Sequence, residues 1–182
     1  MRRMFRRNIR KTLAQEVPPI VQEANFTFDK GEYGRAAELY EQIAERAEAR
    51  SGPRAPFFYI QAGRSRVLAG QTKLGIPSIK HGLALFAARG QMKKVFNIGN
   101  RIVGELNQRG LKIEREEIAN QIKTLLPALS SITDDSASAP RKAILPTHCP
   151  HCGAALRRDE VDWVDEITAE CAYCGSPVRE GE

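Results

Sequence analysis

The sequence predicts a mostly α fold: about six helices in antiparallel pairs, then a small β module tied together by cysteines. Three observations carry this. Apolar residues recur at helical spacing in six successive stretches between residues 20 and 126. Turn residues punctuate those stretches at Gly31, at residues 50–56, at Gly70 and at Gly110. All four cysteines of the 182-residue chain fall in two Cys-x-x-Cys pairs, Cys149/Cys152 and Cys171/Cys174. A hydrophobic content of 42% is enough for a packed core and too high for wholesale disorder.

Residues 1–17 form a basic tail. Met1, Phe5, Ile9 and Leu13 stand four apart, with Arg2, Arg3, Arg6, Arg7, Arg10 and Lys11 between them. That pattern suits a short amphipathic helix in weak contact with an anionic surface, either a membrane or nucleic acid, or a solvated tail folded loosely on the body. Pro18-Pro19 opens a helical domain over 18–127. Its first helix covers 20–29, with Ile20, Ala24 and Phe28 on one face. A second covers 33–49, with Ala36, Leu39, Tyr40, Ile43, Ala44 and Ala47 inward. A third spans 57–69 and a fourth 74–88, which puts Pro77 in a first turn, where its missing N–H costs little. The fifth spans 91–108 with Val95, Ile98, Ile102, Val103 and Leu106 inward. The sixth spans 113–126 with Ile118, Ile122, Leu125 and Leu126 inward. Residues 128–146, rich in Ser, Ala and Asp, read as a linker.

The helix pairs repeat. Ala24, Gly31, Ala36, Tyr40 and Ala44 have small or apolar counterparts 39 residues on, at Gly63, Gly70, Gly75, Ile79 and Leu83. Residues 30–44, Lys-Gly-Glu-Tyr-Gly-Arg-Ala-Ala-Glu-Leu-Tyr-Glu-Gln-Ile-Ala, resemble the second half of a tetratricopeptide repeat, with Gly31, Tyr33, Ala36 and Tyr40 on signature positions and Ala24 on another. The resemblance covers roughly residues 18–126. It implies stacked helix pairs with a concave surface for a protein or peptide segment. The interval of 39 departs from the family's 34, Gly75 stands where Ala is usual, and 91–126 fits only by its helical pattern.

Two residues between thiols let both sulfurs of a pair point at one ion, and the second pair, 18 residues on, completes a tetrahedron. Four thiolates at this spacing read as one closed structural Zn2+ site. Gly153 and Gly175 follow the pairs and allow tight turns that bring backbone N–H groups toward the sulfurs. The pattern resembles the zinc ribbon over roughly 146–178, which implies Cys149, Cys152, Cys171 and Cys174 as ligands and a module over 147–178, with a short tail at 179–182. A rubredoxin-like iron centre, which would make the chain an electron carrier, uses similar knuckles and stays open. A disulfide needs an oxidising compartment, which no secretory signal indicates. His148 and His151 flank the first pair as bystanders. Val161 and Trp163, then Ile167, Ala169 and Cys171, alternate with polar residues as in a β-hairpin, with Trp163 over the metal core.

The chain lacks a phosphate-binding Gly-rich loop, H-E-x-x-H and G-x-S-x-G. His81 reads as exposed and idle, and no catalytic residue emerges. No apolar run approaches the roughly 18–20 residues of a membrane span, so the expected site is cytoplasmic. Net charge is +6 and uneven. Residues 51–127 carry thirteen Lys/Arg against four Asp/Glu, and residues 148–182 carry three against eight. The expected function is a non-enzymatic adaptor that binds a protein or peptide. The rival is a nucleic-acid-associated factor, with Arg64, Arg66, Lys73, Lys80, Lys93, Lys94 and Arg101 as candidate contacts to an anionic partner. The charge asymmetry further suggests that the acidic module docks on the basic helices, weakly and with salt sensitivity.

Overall fold

A computed structural model describes residues 17–126, 144–158, 160–164 and 167–179. The basic tail up to residue 16 and most of the 128–146 linker lie outside the described residues. Six helices come first: α1 (Pro19–Asp29), α2 (Tyr33–Ala49), α3 (Ala55–Leu68), α4 (Thr72–Ala88), α5 (Met92–Gln108) and α6 (Lys112–Leu125). A three-stranded antiparallel sheet follows, ordered β1 (Asp162–Trp163), β2 (Thr168–Glu170), β3 (Pro177–Arg179). Trp163 pairs with Ala169, and Ala169 with Val178. The sequence pattern anticipates the β1–β2 hairpin but not β3, which is short and begins with a proline. Among the described residues, no helix is long and apolar enough to cross a membrane.

Apolar stripes build the helical core. Ala36, Tyr40, Ile43 and Ala44 are buried on α2, and Val95, Ile98, Ile102 and Leu106 on α5. By contrast, α3 buries residues on several sides, including Phe57, Phe58, Ile60 and Ala62, because it lies between neighbours. Four helices end alike. After α3, Gly70 takes φ +77, its N–H bonds the Val67 carbonyl, and the Gln71 N–H bonds the Arg66 carbonyl. That double bond satisfies carbonyls left open at the helix end and turns the chain within three residues. Gly31, Gly90 and Gly110 repeat it.

Two helices touch through backbone. A Cβ at Gly75 would lie 2.6 Å from the Gly63 carbonyl oxygen, and one at Gly63 would lie 2.6 Å from that of Gly75. Only glycine lets α3 and α4 approach this closely. Ala24 and Ala36, 39 residues earlier, are fully buried.

Pro77 departs from expectation. The periodic pattern starts the fourth helix at 74, but the structure starts α4 at Thr72, so Pro77 lies inside it. Polar Thr72 and Lys73 gave no periodic signal, yet the Gln71 carbonyl accepts from both Leu74 and Gly75 and opens the helix there. Pro77 then leaves the Lys73 carbonyl without its helical donor.

Gly75→Ala should destabilise the protein by about 1–3 kcal/mol, since its methyl group meets a carbonyl that cannot retreat. Gly104→Ala, where nothing lies within 4 Å, should be neutral or stabilise by about 0.5–1 kcal/mol through helix propensity. Urea unfolding followed by circular dichroism compares the two.

Candidate metal centre

Both Cys pairs fold as the same knuckle. The Gly153 N–H bonds the Cys149 carbonyl at 2.9 Å, and the Gly175 N–H bonds the Cys171 carbonyl at 2.8 Å. Each glycine takes φ +75, which favours residues without a Cβ. The glycine N–H groups therefore close on carbonyl oxygens, while the His151 and Cys174 N–H groups stabilise the Cys149 and Cys171 sulfurs.

The four sulfurs all lie within 4.8 Å of one another. Cys149 Sγ is 3.7 Å from Cys174 Sγ, and Cys152 Sγ is 3.8 Å from Cys171 Sγ. A tetrahedron with metal–sulfur bonds of about 2.3 Å has edges of about 3.8 Å, so the donor set fits one ion held by four thiolates. Three of the cysteines are buried and Cys174 is half-buried, with Ser176 Oγ at 3.3 Å from its sulfur. The thiols titrate as one set. Hydrogen bonds from Cys152 and Cys171 pull Cys149 down to about 7, and neighbouring thiols also lower Cys174. Hydrogen bonding with Cys149 and Cys174 pushes Cys152 and Cys171 up. So many thiolates this close repel one another unless a cation sits among them.

Neither histidine belongs to the cluster. His148 is exposed, with Nε2 4.0 Å from Asp29, and His151 offers its backbone carbonyl to Gln22. Trp163 is half-buried, donates to the Arg158 carbonyl at 3.4 Å, and has the Arg158 guanidinium over its ring. Tyr173, between Cys171 and Cys174, is the module's own aromatic ring inside the apolar cluster that holds the cysteines.

That cluster is continuous with the helical core. Tyr173 packs on Phe57 and Phe58, with ring centroids 6.3 and 6.1 Å away. Asn25 of α1 donates to the Cys152 carbonyl at 2.7 Å and accepts from Tyr40 at 2.8 Å, all within buried surroundings. Burial pushes the Tyr40 and Tyr173 phenols up, which keeps both neutral. The module thus docks through an apolar centre, and charge pairs only frame it. The sequence pattern missed this because Asn25 and Tyr173 carry polar atoms. Asn25 lies one position past Ala24 on an apolar face, which is the one hint available.

The seven basic candidates are dispersed. Arg64 makes a bidentate pair with Glu105, and Arg66 with Glu41. Lys80 meets Glu117, Lys94 meets Asp162, and Arg101 meets Glu160. Lys93 is exposed, and Lys73 lines a groove of about 620 Å3 between α4 and α6. His81 differs from its expected idle state. Its Nε2 is 3.0 Å from both Glu48 carboxylate oxygens, and its ring packs edge-on against Tyr59 at 4.5 Å. Hydrogen bonds from Tyr59 and then His81 hold the Glu48 carboxyl below its ordinary range.

Compared with protein-family models, curated proteins and solved structures, the chain matches none of them.

Asn25→Ala removes the partner of two buried groups and should cost about 1–3 kcal/mol. Gln22→Ala, whose bond to the His151 carbonyl is exposed, should stay within about 0.5 kcal/mol. Denaturant unfolding of the metal-loaded chain separates them.

Proposed function

We propose that the chain is a non-enzymatic adaptor whose helical array binds a protein or peptide segment and whose four cysteines hold one structural Zn2+. The observation that carries the adaptor reading is the groove between α4 and α6. It is open and partly apolar, lined by Ile76, Pro77 and Ile113 with Lys73 on one wall and Glu114 on the other. Ile113 is 80% exposed, so its side chain is open to a partner seated in the groove. Mixed charge around an apolar strip suits a peptide better than a phosphate backbone. Five of the seven basic candidates already have carboxylate partners, which weakens the nucleic-acid reading.

Tetratricopeptide-like stacking is supported by the repeated construction. Gly31, Gly70 and Gly110 recur 39 and 40 residues apart at the same connection within each helix pair. Gly63 and Gly75 meet in the second pair, and small residues, Ala24 and Ala36, are fully buried at the equivalent positions of the first.

Zinc is favoured by the all-thiolate donor set and its enclosure. Four sulfurs leave no position for water or substrate, so the bound ion would supply stability rather than chemistry. Purified protein should contain one zinc per chain by elemental analysis and be colourless, whereas a ferric tetrathiolate absorbs visible light. Cys171→Ser should lose the metal. For the adaptor reading, proteins captured from the native cell should persist after nuclease treatment and be lost with Ile113→Asp. Capture that depends on nucleic acid would favour the rival.

A further inference from the structure

The cysteine module enters the helical body on one side. Tyr173 sits on Phe57 and Phe58 of α3. Asp162 meets Lys94 of α5 at 2.8 Å, and the same ammonium lies 4.8 Å from the centroid of the Phe57 ring. Glu160 pairs with Arg101 of α5. The guanidinium of Arg54, just before α3, lies against Gly175. Asn25 of α1 holds the Cys152 carbonyl. These contacts fall mainly on α1, α3 and α5, the first helix of each pair. In an array of stacked pairs, equivalent helices line one face.

The resident module therefore displays what this face recognises. An aromatic ring fills the slot over Phe57 and Phe58, and the carboxylates of Asp162 and Glu160, two residues apart at the start of β1, meet Lys94 and Arg101. The module is also poorly equipped to keep its shape without an ion. Its strands have two, three and three residues, and its sheet buries little beyond Thr168, Ala169 and Val178. A fold this small depends on its staple.

We propose that the α1–α3–α5 face is a binding face for an acidic protein segment bearing a tyrosine, that the cysteine module is its resident occupant, and that losing the shared ion frees it. This rests on the zinc reading and goes beyond the adaptor reading by adding a second face to the groove between α4 and α6. Binding of metal and uncovering of the face are then two sides of one equilibrium, so each opposes the other by the same factor.

The test uses the full chain, zinc-loaded and after chelation, with metal content measured in both. The probe is a fluorescein-labelled peptide of Glu and Asp residues around one tyrosine, read by anisotropy, with a Tyr→Ala peptide as control. The metal-free chain should bind the tyrosine peptide roughly ten- to hundredfold more tightly than the loaded chain. The control peptide should lose that gain, and so should Lys94→Glu. Tyr173→Ala, which leaves all four ligands in place, should bind the probe with zinc still present. Circular dichroism should show the helices intact after chelation.

Equal affinity in the two metal states overturns the proposal, as does loss of the helices on chelation. Binding that depends on Ile113 and not on Lys94 would place the partner between α4 and α6. It would overturn this face and leave the adaptor reading standing. Protein purified without metal would instead sink the zinc reading, and the gate with it.

Discussion

Tyr173 stands between two cysteines that a shared ion would hold, and its ring lies on Phe57 and Phe58. A side chain at that place in a tight knuckle is buried only if the whole knuckle is pressed against α3. The position of the small sheet, the buried Asn25–Tyr40 pair and the framing ion pairs all follow from that contact. It also explains α3 itself. A helix with aromatic residues at successive positions 57 and 58 needs partners on two sides, and α2 and α4 supply only part of the cover.

The ion pairs have a different weight. Lys94 is largely covered whereas Asp162 is well exposed, so their bond is partly screened and contributes modestly. Glu160 and Arg101 are both shielded, which raises the cost of separating them once formed. The opposite charges of residues 51–127 and 148–182 are thus spent on orientation around an apolar centre. A docking held by exposed charges alone would loosen with salt, and this one has a centre that salt does not weaken.

Much of this was legible in the sequence. Helical periodicity and glycine punctuation marked all six helices to within about two residues, because amphipathic stripes repeat over many turns. The convergence of the cysteines followed from spacing alone. Pro77 was misplaced because Thr72 and Lys73, at the helix start, bear no apolar signature. Strand β3 escaped notice because three residues opening with a proline are too few to show alternation. The docking geometry was hidden for a deeper reason. Asn25 and Tyr173 are about 150 residues apart in the sequence, and each is polar enough to pass for surface; only the packing shows that each is covered by the other's surroundings.

The same separation bears on how the molecule comes to be folded. The hydrogen bond between Asn25 and Cys152 joins residues 127 positions apart, while the helix pairs close through three-residue turns. Local closures are fast and long ones slow, since the entropy of bringing distant segments together is lost before any contact repays it. During synthesis the helices emerge before the cysteine module, so the side of Phe57 and Phe58 that Tyr173 covers is still open when the helix pairs close. The nascent array therefore passes through an interval with a bare aromatic patch, of the kind that chaperones bind. On the zinc reading, ion supply at that moment would set how long the interval lasts.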